Sequence, residues 1–266
     1  MRRSLEVPVD VPSAVLAVVL LELAVGGGVL LWVAPTWGAV RHGYEVLLGG
    51  TLGVIALLAW LLARAPLADV GGTDAHWAGL AMLATAAAGL VAATLIVFRV
   101  AALGRVLGIV GTVAGVAALV PLAAVRDDGA TWLGVVQLLL GAFFLGAVWD
   151  ALILGHWYLV ERRLSNRYMV WMAWANVAAV IAGLASVALS ASDSPPLAGL
   201  YSPLLAVGSI TTIMGVGLVL LVAMTAGFNV KLAREGGRSI QAATGMSYLA
   251  VIMAPAAEFA AKIRFF

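Results

Sequence analysis

Residues 131–160 read TWLGVVQLLLGAFFLGAVWDALILGHWYLV, an apolar run carrying one acid, Asp150, and ending on His156-Trp157-Tyr158. As a helix rising ~1.5 Å per residue it would be ~45 Å long, more than the ~30 Å that a bilayer's hydrocarbon layer requires. A carboxylate inside such a segment costs ~2.5–3.5 kcal/mol on insertion scales. Asp150 must therefore be solvated, paired or functional. No other stretch of the chain concentrates as much polar chemistry at membrane depth.

The whole sequence has the same character. Of 266 residues, 64% are hydrophobic and 11% charged, and the mean hydropathy is +1.09. This is the composition of an all-α, polytopic integral membrane protein, not of a soluble domain. A net charge of +2 gives no basis for a nucleic-acid partner. The absence of cysteine excludes disulfides, thiolate metal sites and iron–sulfur clusters within this chain.

The first apolar run, Ala14 to Ala34, follows MRRSLEVPVDVPS and is too long for a signal-peptide core, despite the Arg2-Arg3 pair. We read it as a retained span. Further spans are expected at 45–63, 78–98, 104–125, 132–157, 168–190, 203–228 and 239–260, about eight transmembrane helices in all. The stretches around Arg64–Trp77 and Ala191–Ser202 are the longest connections and are too short for a folded domain. Two sets of features recur after the same number of crossings. Gly89-Leu90-Val91 leads through Phe98 to Gly104-Arg105 and Pro121; Gly217-Leu218-Val219 leads through Phe228 to Gly237-Arg238 and Pro255. The recurrence hints at two parallel four-helix halves, 1–128 and 129–266, although the chain also reads as a single membrane domain.

Loop charges set the expected orientation. Arg41, Arg99, Arg105, Arg162, Arg163, Arg167, Lys231, Arg234 and Arg238 share one side, while the side with the termini holds Glu6, Asp10, Asp69, Asp74, Asp127, Asp128 and Asp193. The positive-inside rule then predicts a cell-membrane protein with both termini outside.

Candidate functional residues are few. Glu22, near the middle of the first span, is either a structural carboxyl or a proton-relay group. Asp150 is either a relay group or the buried partner of Arg99 or Arg105. Glu258 is expected in an exposed i,i+4 pair with Lys262, and Glu45 at the interface beside Arg41. The cluster His156-Trp157-Tyr158 reads as interfacial anchors or as a pocket for a quinone ring, with His156 bonding a carbonyl and Asp150 exchanging its proton. Gln241, Thr244, Ser247 and Tyr248 form a polar stripe on the last span. Haem ligation is disfavoured because only His42 and His156 share an edge, and His42 sits in a turn. No metal-ligand spacing appears, and glycine groups such as Gly26-Gly27-Gly28 point first to close helix packing.

The architecture resembles that of membrane subunits that exchange quinol with a soluble redox partner. The expected function is a membrane subunit of an electron-transfer or proton-translocating complex, contacting quinone near the cytoplasmic edge. Its partners would be the lipid bilayer and other protein subunits. The rivals are a proton-coupled transporter of a small solute and an assembly subunit without a site of its own.

Overall fold

The computed structural model describes residues 11–33, 42–125, 130–161, 163–191 and 208–263. These form eight helices: α1 (Val11–Val33), α2 (His42–Val70), α3 (Gly72–Val97), α4 (Ala101–Ala124), α5 (Thr131–Val160), α6 (Asn166–Ser190), α7 (Gly208–Glu235) and α8 (Ser239–Lys262). All eight are long and apolar enough to cross a membrane, and no strand occurs among the described residues. Hydrocarbon offers no hydrogen bonds, so a spanning segment must satisfy its own backbone, and the helix does this within one segment. The chain is an all-helical, multi-pass membrane protein.

Two boundaries differ from expectation. The stretch around 64–77 is almost entirely helix: α2 continues through Pro66 to Val70, and α3 starts at Gly72. The reversal is confined to Gly71 and Gly72, at φ 68° and 82°, a backbone region in which a side chain is strained. Likewise α7 runs beyond residue 228 to Glu235 and stops where Gly236 takes φ 70° and its N–H bonds the Leu232 carbonyl. Arg234, in this extra length, stacks 5.4 Å from the Trp174 ring. Among the loop charges used above, Glu6, Asp10, Arg41, Asp127, Asp128, Arg162 and Asp193 lie outside the described residues.

Packing follows chain order. Helices α1 to α4 each lie against the next, with α4 also returning to α1; α5 to α8 do the same, with α8 returning to α5. Along the join, α1 lies directly on α5, and these are the two most buried helices. Glycine makes that approach possible. A methyl group on Gly26 would stand 1.7 Å from the Ala142 carbonyl oxygen, and one on Gly146 would stand 2.2 Å from the carbonyl carbon of Gly26. The two backbones therefore touch without side chains between them. Other glycines are filled by neighbours, as where the Trp32 ring seats against Gly108. A cavity of about 30 Å³ between α1, α2, α3 and α4 has room for a water molecule.

Candidate functional site

Close packing of α1 on α5 brings four helices to one buried point. Glu22 of α1 and Glu258 and Lys262 of α8 are all fully buried. The Lys262 ammonium donates to Glu258 Oε2 at 3.1 Å and to Ser186 Oγ of α6 at 3.2 Å. Its third contact is an ion pair with Glu22 Oε1 at 3.1 Å. The Ser186 hydroxyl in turn donates to Glu258 Oε2 at 3.0 Å. α5 contributes an absence of side chain: a methyl on Gly141 would stand 2.5 Å from Glu22 Oε1 and 2.8 Å from Glu258 Oε2. Both carboxylates thus meet across bare helix backbone.

The expected exposed Glu258–Lys262 pair is corrected by this arrangement. Spacing i,i+4 does bring the two together, but the pair faces inward and is sealed by α1, α5 and α6. Sequence spacing reports that two residues share a helix face and is silent on what that face meets. Among the described residues this is the densest group of buried charge, and only Glu22 of its members was a sequence candidate.

Farther along α5, Asp150 lies nine residues beyond Gly141, or ~13.5 Å of helix rise. It is fully buried, and neither carboxyl oxygen has a hydrogen-bond partner among the described residues. Gly27 of α1 packs on it closely enough that a methyl there would stand 3.1 Å from Oδ1. Tyr44 of α2 lies within electrostatic range, and its buried hydroxyl likewise has no partner. Among the described residues, neither arginine offered as its alternative partner reaches it. Arg105 is held by Glu45 through contacts of 2.8–3.2 Å, and Arg99 is exposed at the α3–α4 turn. Glu45 is a fully buried acid paired across to Arg105 of α4; Arg41, beside which it was expected, lies outside the described residues.

His156, Trp157 and Tyr158 do not converge on one pocket. Consecutive helical residues point ~100° apart, and each finds a different neighbour. The His156 Nδ1 lies 3.2 Å from the Leu152 carbonyl, to which it donates, and Nε2 shares a hydrogen bond of 2.6 Å with the Tyr248 hydroxyl. The two rings meet edge to face at 5.3 Å, with Tyr248 on the exposed flank of α8. Trp157 covers Gly43 and tilts against Tyr44 at 6.4 Å. The Tyr158 hydroxyl donates to the Ser165 carbonyl and accepts the Met169 N–H at 3.3 Å, tying α5 to the start of α6. On the polar stripe of α8, Thr244 packs on Gly155, Ser247 accepts from Asn229 at 3.2 Å, and Gln241 and Tyr248 face outward. Among the described residues, no three of His, Asp and Glu gather where they could hold a metal ion.

Chemically, the molecule presents titratable groups at successive levels of one helix. Glu22, Glu258 and Lys262 lie at Gly141, Asp150 and Tyr44 lie midway, and the His156–Tyr248 pair lies near the far end. Comparison with protein-family models, curated proteins and solved structures finds no match in any of the three. Fold and site together define a polytopic helical membrane protein with a charged core.

Proposed function

We propose that this chain is the proton-conducting membrane subunit of a proton-translocating or electron-transfer assembly. The observation that carries the reading is the placement of ionisable groups in the bundle interior, against the cost of burying charge in hydrocarbon. Tight packing on α1 and α8 could have been achieved with apolar side chains. Instead α5 is flanked by two carboxylates and a lysine at Gly141 and carries a lone carboxyl nine residues on. Such residues at membrane depth mark ion paths and proton relays. Electrons would come from a partner polypeptide, because the chain has no cysteine and only three histidines. The repeating order of helix neighbours supports a division into two parallel halves meeting at α1 and α5.

The His156–Tyr248 pair supports a quinone contact near the end of α5, reached from the lipid along α8. In this reading His156 and Tyr248 replace the expected trio of His156, Trp157 and Tyr158. The basic loop side faces the cytoplasm, and the chain sits in the cell membrane with its termini outside.

The test is proton flux. The protein, purified with whatever polypeptides accompany it, is reconstituted into vesicles containing a pH-sensitive dye, and a potassium diffusion potential is imposed. Uptake faster than in protein-free vesicles, and reduced at least ~10-fold by Glu22→Gln or Asp150→Asn, is expected for positioned proton-transfer groups. Wild-type vesicles no leakier to protons than protein-free ones would overturn the reading.

A further inference from the structure

We infer that Glu22, Glu258 and Lys262 form a store for one proton, held on the carboxylate pair, with Lys262 as a tethered counter-cation. This deepens the proton-conducting reading by naming where the proton is loaded and how many the site holds. Charge counting is the first support. With all three groups ionised the cluster carries a net charge of −1, and each member is fully buried. An uncompensated charge in so dry a place is far more expensive than a neutral cluster. One further positive charge neutralises it.

Geometry says where that charge goes. Lys262 is fully engaged by Glu258 Oε2, Ser186 Oγ and Glu22 Oε1. Glu258 Oε2 already accepts two hydrogen bonds, from Lys262 and Ser186. By contrast, Glu22 meets Lys262 through Oε1 alone, and among the described residues the outer oxygen of each carboxylate, Glu22 Oε2 and Glu258 Oε1, is buried without a hydrogen-bond partner. Glu22 is therefore the carboxyl with capacity for the proton. An alkali ion fits poorly: the cluster offers two unpartnered outer oxygens, and the helix backbone at Gly141 presses on the inner oxygen of each carboxylate. Among the described residues, the charged groups on the packed neighbours do not alter the count. Glu45 of α2 and Arg105 of α4 satisfy each other, Arg64 of α2 is exposed, and Asp150 lies ~13.5 Å along α5.

The position of Lys262 gives the store a way to load. It ends α8, where the last turn of a helix has the fewest backbone hydrogen bonds to hold it. Withdrawal of Lys262 would leave two carboxylates facing each other, which then take a second proton. Its return expels that proton. The lysine thus exchanges with a proton one for one.

Infrared spectroscopy of the purified protein counts protonated carboxyls directly through their carbonyl stretch and its shift in heavy water. An Asp150→Asn background removes the other buried acid that lacks a cation. The expected count is the number of cluster carboxylates minus the number of lysines: one with the cluster intact, none in Glu22→Gln or Glu258→Gln, and two in Lys262→Met. The charge-balanced double variant Glu258→Gln/Lys262→Met should return to one, which keeps the test decisive if Lys262→Met alone fails to fold. A band unchanged by Glu22→Gln, or not doubled by Lys262→Met, overturns the store. So does a band that appears only when sodium is removed, since the charge would then be an alkali ion. Proton flux through the protein with Asp150 in place, measured beside the infrared series, separates the two ideas. A count that follows the series without flux leaves the store and sinks the conducting path, whereas flux without the series does the reverse.

Discussion

Replacing Asp150 by asparagine separates a structural carboxyl from a working one. If Asp150 balanced a buried cation, the amide would leave that charge unpaired, at a cost of ~3–5 kcal/mol. The structure removes the premise: Arg105 is bonded to Glu45, Arg99 is exposed, and no hydrogen-bond partner reaches either Asp150 oxygen among the described residues. Asparagine has nearly the same size, so the tight seat on Gly27 is preserved. It also carries no charge to bury. Asp150→Asn should therefore fold normally and match the wild type within about ±1 kcal/mol, the scale of a single net hydrogen bond. Asp150→Leu would create no buried polar group, but it would press a branched side chain on Gly27 and should be less stable than the amide by about 1–3 kcal/mol. Proton flux should respond differently, falling at least ~10-fold in both variants because neither can take up and release a proton. Thermal unfolding in detergent and vesicle flux, measured on one preparation, give both readings. A loss of 3 kcal/mol or more in Asp150→Asn would refute the reasoning, because it would mean that a cation does face this carboxylate. Unchanged flux with unchanged stability would refute the relay role instead.

Other outcomes follow from the same packing. Glu45→Gln leaves Arg105 without its carboxylate; because Arg105 is 45% exposed, water replaces much of the loss, and a destabilisation of about 1–2 kcal/mol is expected by chemical denaturation. Gly26→Ala forces a methyl into the Ala142 carbonyl and should cost about 1–3 kcal/mol or more, whereas Gly245→Ala, with open space around it, should gain up to about 1 kcal/mol; equal melting temperatures for the two would contradict the α1–α5 contact. Cysteines placed singly at Ser165 and Thr73 in this cysteine-free chain report orientation: an impermeant thiol reagent should label Thr73→Cys and not Ser165→Cys in intact cells, and the opposite pattern would invert the predicted topology.

What the sequence made legible was set by which interactions are local. Eight apolar runs are local facts, and hydrocarbon leaves the backbone of each little choice but a helix, so both the count and the bounds of α5 at Thr131 and Val160 could be read directly. Where an end depended on one residue's backbone angle, as at Gly71 or Gly236, composition alone placed it several residues away. The candidate site was legible only in part, for a different reason. A charge in an apolar run announces that it needs a partner, which is why Glu22 and Asp150 stood out. It does not announce which helix supplies one. Glu258 and Lys262 satisfied each other on paper as a surface pair, so nothing in their spacing called for Glu22, and Glu45 had a nearer arginine in sequence than the one it bonds. The information that joins them lies in Gly26, Gly141 and Gly146, residues whose lack of a side chain lets α1 lie on α5 and the carboxylates face the α5 backbone. Glycine in a membrane span signals close approach without naming the partner. The charged core of this protein is thus specified as much by three missing side chains as by the three ionisable ones they bring together.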